Sequence, residues 1–321
     1  MCVYITLLSL FLVSGSSDAP FTLNLYVDGD SFCPMEPIYT KLVIKNTSNT
    51  VQKLVDVRGP GSQIDFLQYI IVDENGDTMP GLGQYLDYSP SILQLKPGDS
   101  LVCEMSLLDR YGKINQKDYD GYDIALWFIP PGRYTVAVRY EAKKDAWPKR
   151  DFWRGSVESN KVCFVVRELS EDLKEPFNRC AQIWTLLLNN KYHGNSVTSN
   201  AADSMVEDLI NEFFATYKTT PYHPLVHLSL VSVYMHYIYY HRQNTQEFEK
   251  RYIATWKELF EKYSNSKLVQ HKLADFGSIM KNRNRRNEWL SYLNYLAEKY
   301  PETRVGNEAK KLLDEERKLQ K

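Results

Sequence analysis

The 321-residue chain predicts a two-domain protein: an N-terminal all-β antiparallel sandwich followed by a C-terminal all-α set of helical hairpins. Three observations carry that reading. Apolar runs before Trp153 are short and alternate with a period of two, as half-buried strands do. Runs after Ser170 recur at helical spacing. Between them, Trp153 to Phe177 (WRGSVESNKVCFVVRELSEDLKEPF) passes from one regime to the other. Lys161 to Arg167 is β-branched and aromatic, whereas Ser170 precedes Glu171 and Asp172, carboxylates that suit the positive end of a helix dipole. The expected divisions are a signal peptide over 1–18, a sandwich over 19–169 and a helical domain over 170–321.

Composition narrows the function classes. With 43% hydrophobic and 25% charged residues, the chain has enough apolar material to order its whole length. The 39 basic and 40 acidic residues nearly cancel, which argues against nucleic acid as the main partner, since that affinity needs clustered Lys and Arg. The 23 tyrosines suit half-buried surfaces with one wet end. Val3 to Val13 is apolar and small residues follow to Ala19, the length of a signal-peptide core and too short to span a bilayer. Export to the periplasm or medium is expected; the competing reading is a buried first strand. Ser16 stands where a lipobox needs Cys, and no other run is apolar enough to span a membrane. Cys2 leaves with the signal. Cys33, Cys103, Cys163 and Cys180 could pair in an oxidising compartment. Cys103 shares a strand face with Leu101 and Met105, so buried thiols are the plainer expectation. No CxxC spacing supports zinc or redox chemistry.

Strands are expected at Phe21–Val27, Ile38–Ile44, Val51–Val57, Phe66–Val72, Leu101–Leu107, Arg133–Tyr140 and Lys161–Arg167, with Asn75-Gly76, Pro97-Gly98 and Pro131-Gly132 as turns. Glu36-Pro37-Ile38 with Asn46, Leu95-Lys-Pro-Gly98, Pro131-Gly-Arg-Tyr-Thr-Val136 and Ser159-Asn160 together resemble bacterial secreted immunoglobulin-like domains. The resemblance implies that Tyr134 sits at a strand corner with its hydroxyl bonded back to the backbone. Asp73-x-Asn75-x-Asp77 has a calcium-loop start, but Gly76 and Gln84 occupy the wrong positions, so a hairpin turn is the expectation. Asp118 to Asp123 reads as a solvated acidic loop. Trp147, Phe152 and Trp153 beside Lys149, Arg150 and Arg154 form a candidate contact patch; alternatively Phe152 and Trp153 fold back onto the sandwich or onto the helical domain.

Helices are expected at Glu171–Asn189, Ala201–Tyr217, Leu225–His241, Gln246–Tyr263, Lys267–Lys281, Arg286–Tyr300 and Arg304–Lys318. A block recurs at Glu212-Phe-Phe-Ala-Thr-Tyr217, Glu258-Leu-Phe-Glu-Lys-Tyr263 and Tyr295-Leu-Ala-Glu-Lys-Tyr300, its final tyrosines 46 and 37 residues apart. The last copy runs on through Pro301-Glu-Thr-Arg-Val-Gly-Asn-Glu-Ala309 and resembles a degenerate tetratricopeptide hairpin, which implies a stacked solenoid with a polar terminal cap. Tyr234, Tyr237, Tyr239 and Tyr240 either pack against the next hairpin or line a concave peptide-binding face. His223 and His227 have the i,i+4 spacing of metal ligands but lack the glutamate of a metallopeptidase, and core or surface histidines are the expectation. Met280 to Arg286 reads as a solvated basic turn.

No nucleophile elbow, phosphate loop or dinucleotide fingerprint is present, and no cofactor is expected. Two binding-type folds without a catalytic set point to a non-enzymatic interaction or scaffold protein with a protein or peptide partner, its candidate contacts being Trp147, Arg150, Phe152, Trp153, Tyr234, Tyr237 and Tyr240. The rivals are a hydrolase or metal-dependent enzyme with its site at the domain junction, and a carbohydrate binder using Trp147 and Trp153.

Overall fold

The computed structural model describes residues 19–58, 66–79, 91–107, 116–117, 123–124, 129–142, 151–193, 199–240 and 245–318. The expected signal peptide lies outside these residues, as do Trp147, Arg150 and Asp118 to Tyr122. The chain divides into two compact units, a strand-rich one ending at Glu168 and a helical one beginning at Leu169. The hairpin of β8 (Gln116–Lys117) and β9 (Asp123–Ile124) groups with the helical unit, although chain order puts it in the first.

In the strand-rich unit, β1 (Phe21–Val27), β3 (Tyr39–Asn46) and β7 (Ser100–Ser106) form an antiparallel sheet in the order β1-β3-β7. A second sheet is built on the long β10 (Gly132–Ala142). One side of β10 pairs with β5 (Leu67–Asp73). The other is shared by β12 (Val162–Val166) and β11 (Gly155–Glu158), and β12 continues in parallel to β2 (Ser31–Phe32). β4 (Gln52–Val55) pairs with β6 (Ile92–Leu95). Alternation in the sequence decides which side chains go inward: Phe21, Leu23 and Leu25 are buried while Thr22, Asn24 and Tyr26 are exposed. Inward residues of both main sheets, among them Leu42, Ile44, Ile71, Val136, Val138 and Phe164, share one core. Each such side chain contributes about 1.5–3 kcal/mol on leaving water.

Polar side chains bolt this core at its corners. The Tyr134 hydroxyl donates to the Pro130 carbonyl at 2.8 Å, the backbone bond expected of it. Buried Asn46 donates to the carbonyls of Thr50 and Leu95, both at 2.9 Å, and accepts from the Ser48 amide. The Asn160 side chain accepts from the Leu25 amide at 2.7 Å and donates to the Leu25 carbonyl at 3.0 Å. The Glu36 carboxylate accepts from the Cys33 amide. At Asp73–Asp77 the expected hairpin turn forms. Gly76 takes φ 89°, and the Asp73 carboxylate is spent on the amides of Asn75 and Asp77. The four described cysteines form no disulfide with one another; Cys103 and Cys180 are buried, Cys33 is half-buried, and Cys163 is exposed, contrary to the expectation of buried thiols throughout.

The helical unit consists of α1 (Glu171–His193), α2 (Ser199–Thr216), α3 (His223–Tyr240), α4 (Thr245–Lys262), α5 (Lys267–Asn282), α6 (Arg286–Lys299) and α7 (Arg304–Lys318). Each helix packs on the next, and α1 also packs on α3 and α5 on α7. The recurring block has one local geometry in all three copies. Its final tyrosine donates its amide to the carbonyl of the block's buried second residue: Tyr217 to Phe213, Tyr263 to Leu259 and Tyr300 to Leu296. The Val305 amide donates to the Ser264 carbonyl at 2.9 Å, which ties the turn after the third block to the turn after the second. Close packing in the later helices rests on Gly277, where a Cβ would stand 2.6 Å from the Trp289 ring.

Candidate interaction surfaces

Of the residues that the sequence singles out, the described ones fall into two separate places, one in each unit. In the strand-rich unit, Phe152 is only 5% exposed and packs edge-on against Phe66. Trp153 is half-buried, edge-on to Phe21 at 5.3 Å and tilted against Tyr140 at 5.8 Å. The Trp153 amide donates to the Lys53 carbonyl, Lys53 pairs with Asp151 at 2.7 Å, and the Arg154 guanidinium lies over the Phe152 ring at 4.5 Å. Phe152 and Trp153 therefore fold back on the sheets. The expected contact patch loses Phe152 outright, because a ring in the core is not available to a partner.

In the helical unit, Tyr234 and Tyr237 are buried between helices. The Tyr234 hydroxyl donates to Glu207 of α2 at 2.9 Å, and burial, reinforced by Glu207, pushes its pKa up to about 12. Tyr237 stacks on Phe248 of α4 with centroids 4.6 Å apart. Both pack against neighbouring helices and present no open aromatic face. Only the backbone of Tyr240 is described.

Groups with reactive potential are engaged structurally. The His223 ring bonds through Nε2 to the Tyr217 carbonyl, and His227 through Nε2 to the Thr255 carbonyl at 3.2 Å. A carbonyl accepts, so in each ring Nε2 carries the hydrogen. No group of three or more metal-ligating side chains occurs among the described residues. Burial pushes the Cys180 thiol well above its ordinary range, which holds it un-ionised and a poor nucleophile. The basic turn Met280–Arg286 is neutralised locally. Arg283 and Arg285 pair with Glu249, and Lys281 and Arg286 both reach Glu316, whose carboxyl is held below its usual range by the Lys281 bond despite burial.

One surface was not singled out from the sequence. The outward side of the β1-β3-β7 sheet is a grid of facing residues: Thr22, Lys45 and Ser100; Asn24, Val43 and Val102; Tyr26, Lys41 and Glu104. Tyr26 is 56% and Val102 42% exposed, with Val43 directly opposite Val102. The signal for it lay in the alternation itself, which puts an aromatic and two valines at positions otherwise held by Thr, Asn, Ser, Lys and Glu.

Nothing among protein-family models or curated protein sequences matches the chain. Solved structures give faint likenesses. A FixG-related protein from Vibrio parahaemolyticus is 15% identical over 47% of this chain and 99% of its own, with a TM-score of 0.23. The sporulation control protein Spo0M from Bacillus subtilis is 7% identical over 52% of this chain and 55% of its own, at 0.25. A β-glucosidase from Listeria innocua is 13% identical over 46% of this chain and 17% of its own, at 0.21. Scores this low assign neither fold nor function. No helix among the described residues is long and apolar enough to cross a membrane.

Proposed function

We propose that this chain is an exported, non-enzymatic protein-interaction or scaffold protein, in which an immunoglobulin-like sandwich precedes a tetratricopeptide-like array. The observation that carries the reading is the outward face of the β1-β3-β7 sheet. There Tyr26 and Val102 are exposed, half-buried Val43 faces Val102, and Lys41, Lys45 and Glu104 flank them. An aromatic and aliphatic centre with a charged rim is the composition of a protein-binding patch. The sandwich reading is supported by the Tyr134–Pro130 bond and by the core shared between the two sheets. The repeat reading is supported by the common ending of the three blocks and by the bond between their turns. The engagement of His223, His227 and Cys180 in structural roles favours binding over catalysis.

The test uses the full chain, immobilised with its sheet face intact or with Tyr26→Ser and Val102→Lys together. Secreted or envelope proteins of the source cell are passed over both. One stoichiometric protein partner held by the unaltered chain and lost from the double variant, with circular dichroism unchanged, supports the reading. A partner held equally by both moves the surface elsewhere. Turnover of any substrate by the purified chain would overturn the non-enzymatic reading. Export is checked by N-terminal sequencing of the mature protein, with a start near Ala19 expected.

A further inference from the structure

Four residues apart on α3, His223 and His227 meet α2 and α4 in an aromatic contact in which His227 is buried and His223 half-buried. His223 is the first residue of α3 and its Nε2 holds the Tyr217 carbonyl, just past the end of α2. Its ring lies edge-on to Phe213 and Phe214 of α2 and to Tyr263. His227 is 1% exposed, lies against Phe214 at 5.7 Å and Tyr263 at 5.8 Å, and holds the Thr255 carbonyl of α4. Its Nδ1 and the Tyr263 hydroxyl are both buried without a hydrogen-bond partner among the described residues. The charged groups facing the pair come from α4: Glu258 favours a proton on His227, while Lys262 opposes one on either ring.

We propose that the His223–His227 pair is an acid-responsive latch, in which a proton taken up by the pair releases α2 and α4 from α3. A neutral His227 uses its single N–H on Thr255 and leaves Nδ1 bare. Protonation adds an N–H and a full charge at Nδ1, which has no hydrogen-bond partner among the described residues, and a buried charge without a matched partner is strongly unfavourable. Among the described residues the carboxylate facing His227 is Glu258, which is already paired with Lys262 at 3.9 Å. Burial holds both histidines below their ordinary value of 6.5. The folded state therefore favours the neutral rings, so the stabilisation is complete above pH 6.5 and is lost as pH falls below it. Each ring contributes up to about a tenfold rise in opening per pH unit in that window.

The strand-rich unit supplies an internal control, because it contains no histidine. Amide hydrogen exchange of the full chain at pH 7.5, 6.5 and 5.5, corrected for the intrinsic rate, reads each segment separately. Peptides from α2, α3 and α4 are expected to open about tenfold more at pH 5.5 than at 6.5, with β10 and α7 changing less than about twofold. His227→Gln, whose amide can still donate to Thr255, and His223→Gln are expected to flatten the response. An equal rise in β10 and α7, or an undiminished acid response in both variants, would overturn the proposal. Should the variants not fold, the contrast between segments in the unaltered chain decides it alone.

Discussion

The polar residues buried in the strand-rich unit act as substitutes for backbone. Asn46 satisfies two carbonyls and an amide where the chain leaves β3, and Tyr134 reaches back to Pro130 where β10 begins. Replacing Tyr134 with Phe removes one neutral hydrogen bond and leaves the Pro130 carbonyl short of a donor, so a loss of about 1 kcal/mol is expected in urea unfolding followed by near-ultraviolet circular dichroism. Asn46→Ala orphans several groups at once and should cost about 3 kcal/mol by the same measurement. Glu36, Asn46, Tyr134 and Asn160 all stand out in the sequence as polar residues beside strands. Their partners do not, because a side chain that bonds a residue 135 positions away, as Asn160 does with Leu25, leaves no local periodicity.

At the level of elements, long regular segments were legible and short ones were not. β1 and α7 fall where alternation and helical spacing place them. β2, β6 and β11 are two to four residues long and carry no pattern of their own; β2 and β11 pair with the longer strands β12 and β10, while β6 pairs with the equally short β4. The eleven residues of β10 give β12 its first half and β11 its second, a division no window on the sequence reveals. Of the candidate contact patch, Phe152 follows the fold-back alternative, and Trp147 and Arg150 lie outside the described residues. Aromatic residues next to Arg read as an interface, yet Phe152 has the same composition whether it faces a partner or its own core. In the helices, Gly277→Ala would push a methyl into the Trp289 indole, and a loss of about 2 kcal/mol is expected in thermal unfolding at 222 nm. Glu316→Gln would leave Lys281 and Arg286 facing an uncharged amide. Both cations are partly exposed, so about 1–2 kcal/mol is expected, with faster amide exchange confined to α7 and its contacts.

For the whole molecule, acid should act in two stages. The first lies below pH 6.5 and is confined to α2, α3 and α4. The second lies near pH 4 and reaches both units, because Asp56 is held below its ordinary value of 3.8 by its bond to Arg58, and Glu316 below 4.5 by Lys281. A carboxylate with a depressed pKa stabilises the fold above its unfolded value and loses that contribution as pH falls through the folded one. Equilibrium unfolding followed from pH 7.5 to 3 should therefore show a helix-specific loss before the strand signal moves.

The Asn160 side chain has a consequence for solubility. Among the described residues β1 has one strand neighbour, and a sheet margin with unsatisfied amides and carbonyls is a template on which other chains can grow. An asparagine amide offers the donor and acceptor of a peptide unit without a strand behind it. By occupying both backbone groups of Leu25, Asn160 ends the ladder with one residue's worth of imitation, and no further copy can be added at that point. Asn160→Ala should therefore do more than weaken the fold. It should turn a finished margin into a nucleation site, visible as thioflavin-positive aggregates at concentrations where the unaltered chain stays clear.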